Sequence, residues 1–342
     1  MNAIVCDIVA WMYFASRLPA TPLSAAQAQE RISGASAMAC CVKSISTLGW
    51  WKGNLPWAHE LLATPDTYEV PMHMLVGFNN RHGAQKRIAI HQFTQPVPDG
   101  FLWEIQSPQG LDSLQVVSPA GYLVLRSGQT NQTQLAMLVS ILCGDFLCNP
   151  YQDNARYFRN VLCSTGTIDA VTAGISESMR GIKALKSALP YVANGAHSPM
   201  ETVIQLALSL PPRLGGCGLP TPELNAKLEV TGELSLLLGG SRYISPDGLW
   251  PARRVGYEYD SHQEHDSNPL QVEKDRRRRD VMERLGYQMV VFDRESCRNE
   301  RMRNLCFERL AKLLKRPFDW SGAAQQKRRD LWNKLMTVGL CW

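Results

Sequence analysis

At 342 residues, 45% hydrophobic and 20% charged, the chain is long enough for two buried cores and has no low-complexity tract, which excludes a disordered or fibrous protein. Its net charge of +5 is unevenly held: residues 251–342 carry 20 Lys and Arg against 14 Asp and Glu, and the rest carries 16 against 17. The basic excess of the last quarter points to a polyanionic partner for that part.

The opening segment, "MNAIVCDIVAWMYFASRL", lacks a basic start, and Asp7 interrupts its apolar run, so it reads as a buried helix or strand rather than a signal peptide. Residues 20–66 read as helical and loop-rich, with Trp50, Trp51 and Trp57 expected in a core or interface rather than as a base-stacking platform. Four runs then carry strand signals: "YEVPMHMLV", "KRIAIHQFT", "FLWEIQS" and "GYLVLRS". From Thr133 to about Val192 the pattern is helical, with "TIDAVTAGISESMRGIKALKSALPYV" as its longest periodic part. The apolar segment "QLAMLVSILCG" falls far short of the ~20 residues a membrane-spanning helix needs. The ten cysteines include no CxxC pair, so neither a zinc ribbon nor a disulfide framework is expected, and free thiols in a reducing cytoplasm are.

"ANGAHSP" reads as a linker, dividing an α+β region, 1–195, from an α/β domain, 196–316, followed by a helical tail, 317–342. The second domain opens on "SPMETVIQLALSL", where Ser198 suits an N-cap, Pro199 the first helical position and Glu201 a capping box. Two candidate strands follow, "AKLEVTGEL" and "GSRYISPDGLW", and a third covers Val255–Asp260. A charged helix spans roughly Leu270–Leu285 with Gly286 as its C-cap, and "YQMVVFD" reads as a central strand. Met302, Leu305, Cys306, Leu310, Leu313 and Leu314 mark one face of a further helix. This order implies a mixed sheet flanked by helices.

Within "GYEYDSHQEH", strand periodicity places Glu258 and Asp260 on one face, with Tyr257 and Tyr259 on the other. Two like charges on one face of an interior strand are costly unless neutralised, and a hard divalent cation does this well. Asp247 is the obvious third carboxylate and Glu201 a fourth. Such a cluster suits phosphodiester hydrolysis with Mg²⁺ or Mn²⁺, with His262 or His265 as proton carrier and Arg278 and Arg279 as phosphate binders. Each residue also has a plainer reading. Glu201 serves the capping box, Asp247 a turn before Gly248, and the histidines a loop. Arg276–Arg279 alternate with acids as a solvated helix face does, and Lys327, Arg328 and Arg329 read as a surface helix.

The segments "SPMET", "DGLW", "EYDSHQEH", "DRRRR" and "LGYQMVVF", in that order and spacing, resemble the domain related to very-short-patch-repair endonucleases in the PD-(D/E)XK, or restriction-endonuclease-like, superfamily. The resemblance covers about residues 196–316. It implies a metal-dependent endonuclease-like domain acting on DNA, with acids at Glu201, Asp247, Glu258 and Asp260 and a D-x-x-R motif at Asp275 and Arg278. The chain departs from the pattern in four places. Ser261 stands where the family has glycine, Glu264 where it has histidine, Val291 where it often has arginine, and Asp260 where the wider superfamily has lysine. These departures leave open a nucleic-acid-binding or antitoxin-like regulator with a degenerate nuclease fold. Residues 1–195 resemble, more loosely, a region found near abortive-infection type IV antitoxins of actinobacteria, through "YEVPMHMLVG" and "LDSLQVVSPAGYLVL".

Overall fold

The computed structural model describes residues 1–62, 64–65, 67, 69–77, 87–147, 156–157, 161–260 and 269–337. The chain forms two compact units, one of Met1–Leu142 and Leu147–Leu189, the other of Cys143–Phe146 and Pro190–Thr337. The division falls at residue 190 rather than 196, and the tail is no appendage: residues 317–337 belong to the second unit.

The first unit is built on a six-stranded mixed sheet of β1 (Asn2–Val5), β2 (Thr21–Pro22), β3 (Met72–Val76), β4 (Ile88–Gln92), β5 (Leu102–Ile105) and β6 (Ser113–Val117), in the order β2-β5-β6-β1-β3-β4. β1 pairs parallel to β6 and antiparallel to β3, and β3 pairs parallel to β4. Both expectations for the opening segment hold in turn: β1 is followed at once by α1 (Asp7–Ser16), whose Trp11, Met12 and Phe14 are fully buried. Helices α2 (Ala25–Ser33), α3 (Ala39–Ile45) and α4 (Gly49–Leu62) follow, and Trp50, Trp51 and Trp57 are buried.

"GYLVLRS", expected as a strand, is helical. It lies in α5 (Pro119–Ser127), which Ser118 starts by accepting the Gly121 N–H and Pro119 continues at the first position. The strand at this point is β6, just before it, and both are almost wholly buried, so apolarity alone could not tell them apart. Helices α6 (Gln132–Leu142), α7 (Thr165–Ala173) and α8 (Ile182–Ala188) complete the unit, the long periodic stretch being broken after Ala173. Two short strands, β7 (Phe146–Leu147) and β8 (Arg156–Tyr157), lie between α6 and α7 in sequence.

The second unit holds a four-stranded mixed sheet, β14-β13-β12-β9, flanked by helices: an α/β arrangement. It begins with α9 (Pro199–Ser209), capped by Ser198, and proceeds through β9 (Glu223–Leu224), β10 (Leu228–Glu229), α10 (Glu233–Leu237), β11 (Tyr243–Ile244), β12 (Gly248–Trp250) and β13 (Val255–Asp260). The chain crosses by α11 (Pro269–Arg284) to β14 (Gln288–Asp293), parallel to β13, and ends with α12 (Arg294–Arg298), α13 (Glu300–Leu313) and α14 (Gly322–Thr337). Gly286, at φ 79°, closes α11 in the left-handed conformation that glycine adopts without strain.

Three expectations are corrected. β14 is an edge strand, not a central one, and Val291 is exposed on it. On α13, Met302 and Leu305 are exposed, while Arg303, Asn304, Phe307 and Leu310 face inward. Arg328 is buried, its Nε donating to Asn304 at 2.9 Å and its guanidinium lying 4.4 Å from the Phe318 ring centre. Between sheet and helices runs a line of aromatic contacts, Trp250–Tyr257–Phe292–Phe307–Trp332, with centroids 5.7 to 6.3 Å apart. Each such contact is worth about 0.5–1.5 kcal/mol beyond the area it buries.

Candidate functional site

Three of the four expected acids meet at one end of the second sheet, on three different elements. Glu201 lies in the first turn of α9, Asp247 immediately before β12, and Glu258 on β13. The capping motif at Glu201 is only half used: Ser198 Oγ accepts the Glu201 N–H, but the Glu201 carboxylate reaches the N–H of His197 rather than of Ser198. Its Oε2 accepts from His197 at 2.9 Å and from Asn225 Nδ2 at 2.8 Å.

Asn225 links the acids. Its N–H donates to the Asp247 carbonyl, its own carbonyl accepts Ser245 Oγ at 2.7 Å, and its φ of 52° lies in the left-handed region where asparagine is one of the few tolerated side chains. From Ser245 the connection passes to Arg278, whose Nη2 donates to the Ser245 carbonyl at 3.1 Å and to Glu258 Oε1 at 2.9 Å. Asp247 Oδ2 accepts the Tyr259 N–H at 2.6 Å, which ties the loop acid to the strand that carries Glu258. Burial, joined by the charges of Glu201 and Glu258, pushes the Asp247 carboxyl up to about 7, against the opposing pull of the Tyr259 N–H and Arg278.

Asp260 lies two residues beyond Glu258 on the same face of β13, opposite Asp293, which caps α12. His262 and His265 lie outside the described residues. Arg278 and Arg279, expected to act together, have different settings. Arg278 is half-buried against Glu258, whereas Arg279 is exposed and donates to the Asp275 carbonyl. Arg276 and Arg277 both pair with Glu273, as a solvated helix face does. Beside Arg278 a groove of about 510 Å³ runs between the α10–β11 segment and α11, lined by Lys274, Arg277, Glu273 and Tyr243 among others.

The carboxylates of Glu201, Asp247 and Glu258 offer hard oxygen ligands, suited to Mg²⁺, which needs one or two carboxylates and keeps several waters. They do not form a tight ligand set of their own. Among the described residues, the group of His, Cys, Asp and Glu that brings three ligand atoms within 4.8 Å of one another lies in the first unit: Asp7, His73 and His91. Sequence reasoning missed that group, and also Asn225 and Ser245, since no periodicity connects such distant positions. The signal that was there is the alternation of "MHM" and "AIHQ", which puts a histidine on each of two strands read correctly.

No helix among the described residues is long and apolar enough to cross a membrane. Comparison with known proteins finds no matching family model, no matching curated protein and no matching solved structure.

Proposed function

We propose that the second unit is a divalent-metal-dependent, nuclease-like domain of the very-short-patch-repair type that hydrolyses phosphodiester bonds in DNA, in a cytoplasmic protein. The observation that carries this reading is the hydrogen-bonded network in which Asn225, Ser245, Arg278 and the Tyr259 N–H connect Glu201, Asp247 and Glu258, drawing three carboxylates from three elements to one sheet end. Among the described residues, one guanidinium and one side-chain amide do not neutralise these three carboxylates, of which Glu201 is buried, and the donor set fits a hard cation such as Mg²⁺ or Mn²⁺. Asp247, Glu258 and Asp260 would hold that ion, and Glu201 would fix Asn225 behind it. When bound, the ion would supply charge neutralisation at the phosphate and a more acidic water.

The chain's own residues divide the remaining work. Arg278 would hold a phosphate oxygen if it let go of Glu258, with Lys274 and Arg277 in the adjoining groove continuing the contact along the backbone. His262 or His265 would carry the proton.

One observation favours a second reading. Glu258 already has its countercharge in Arg278, as expected of a domain that binds nucleic acid without cutting it. The two readings part in one experiment: calorimetric titration of Mg²⁺ and Mn²⁺, with plasmid cleavage and duplex binding, on wild type and on the Glu258→Gln, Asp260→Asn double variant. Metal binding and cleavage that the double variant loses support the nuclease. Salt-sensitive DNA binding without cleavage, weakened by Arg279→Ala, supports the regulator. A wild type that binds neither metal nor DNA sinks both.

A further inference from the structure

The first unit carries a cluster that the proposed function does not use. At the end of β1 the backbone turns sharply: Asp7 takes φ 52°, a left-handed conformation more tolerable for aspartate than for most side chains, and begins α1. The Cys6 N–H donates to the His73 carbonyl at 3.0 Å, pinning this turn to β3. His73 on β3 pairs in register with Ala89 on β4, and His91 lies two positions further along the same face. The two imidazoles stack with centroids 5.1 Å apart and an interplanar angle of 27°.

Three ligand atoms converge. His73 Nδ1 lies 2.9 Å from His91 Nε2, and Asp7 Oδ2 lies 3.4 Å from the first and 3.8 Å from the second. A triangle with those sides has a point about 2.0 Å from all three corners, the bond length of zinc to imidazole nitrogen and carboxylate oxygen.

Hydrogen bonding does not join the second imidazole to the carboxylate. A bond between the rings requires a proton on one nitrogen and a lone pair on the other. With the proton on His73 Nδ1 it can be shared between His91 Nε2 and Asp7 Oδ2, but the His91 Nε2 lone pair then faces that oxygen at 3.8 Å with no proton between them. Protonating both nitrogens instead sets two N–H groups against each other at 2.9 Å. A cation at the common point takes up all three lone pairs at once.

Asp7 itself is nine-tenths buried, and its second oxygen, Oδ1, is buried with no hydrogen-bond partner among the described residues. Arg126, from α5, donates through Nη1 to the same Oδ2 at 3.4 Å and to Gln129 Oε1 at 3.1 Å, a contact that orients the carboxylate. The histidine side chains, 20% and 27% exposed, leave an approach from solvent.

We propose that Asp7, His73 and His91 bind one first-row divalent transition ion of the zinc type, with a fourth position left for water or a small ligand. Two imidazoles and one carboxylate suit zinc or iron rather than Mg²⁺ or Ca²⁺, and three protein ligands are the count of a reactive rather than a purely structural zinc site. The inference does not depend on the reading of the second unit.

The test uses the full chain stripped of metal and titrated with Co²⁺, followed by absorption, and with Zn²⁺, followed by calorimetry. The expected result is one tight equivalent, with visible cobalt bands, no thiolate charge-transfer band, and displacement by Zn²⁺. His91→Ala should weaken it on the order of 100-fold or more, and Cys40→Ser should leave it unchanged. If His91→Ala fails to fold, the wild-type stoichiometry and cobalt spectrum decide alone. The proposal is overturned by a wild type that takes up no ion, by a thiolate band that assigns the ion to cysteines such as the exposed Cys40, or by a folded His91→Ala that binds as wild type does.

Discussion

Asp247 is held between two other carboxylates with, among the described residues, a single backbone N–H donating to its carboxylate, and its ionisation therefore works against the fold. A carboxyl raised from its ordinary value to about 7 binds its proton more tightly folded than unfolded. Stability from this group is thus fully present below about pH 4 and is lost as pH rises toward and through 7. In metal-free buffer at pH 8, Asp247→Asn is expected to raise unfolding stability by roughly 1–3 kcal/mol, discounted for partial exposure, with about a third of that gain at pH 5. Urea melts at the two pH values measure this. An equal effect at both would mean that Asp247 is not strained by its neighbours. The acids of this site were readable one by one, because strand alternation and capping rules bear on Glu258, Asp260 and Glu201 separately. Their connection was not. Asn225 and Ser245 lie twenty residues apart, at the end of a Gly/Pro-rich stretch and in a candidate strand, where no rule gives either side chain its partner, and the partner of Arg278 is twenty residues away across a helix–strand crossover.

Between β12 and β13 the packing leaves no room for even one methyl group. A Cβ on Gly248 would lie 2.1 Å from the Tyr257 ring, itself wedged between Trp250 and Phe292. The ring cannot swing away without breaking the aromatic line, so Gly248→Ala is expected to cost about 1–3 kcal/mol or more by overpacking, read as a lower urea midpoint at unchanged slope. A neutral result would mean that β12 and β13 can shift apart. The boundaries of β13 and α11 were legible to within a residue or so, because a strict period-2 face and a glycine C-cap are local signals. The nature of α5 and the edge position of β14 were not. An apolar run of seven residues fits a buried helix as well as a buried strand, and sheet order is decided by partners far off in sequence.

Within the second unit, the last helix closes the core rather than trailing from it. Leu331, Trp332 and Leu335 are buried, and the Arg303 guanidinium lies 4.2 Å from the Trp332 ring centre. Burying three such side chains is worth about 1.5–3 kcal/mol each, comparable to the 5–15 kcal/mol that holds a whole domain together. A chain ending at Arg316 is therefore expected to lose the near-ultraviolet dichroism of Trp250, while the tryptophans of the first unit keep theirs, and to be cut by protease throughout 190–316. Resistance there would show that the sheet stands without α14. In the first unit, β1 lies inside the sheet, yet it precedes both of its neighbours along the chain: Val5 pairs with Met74 and Asn2 with Ser113. During synthesis the apolar stretch from Ala3 to Phe14 must therefore leave the ribosome and wait, its hydrogen-bonding edges open, until β3 and then β6 have been made. Slowed translation or scarce chaperones should be felt first at that interval, before either candidate site exists.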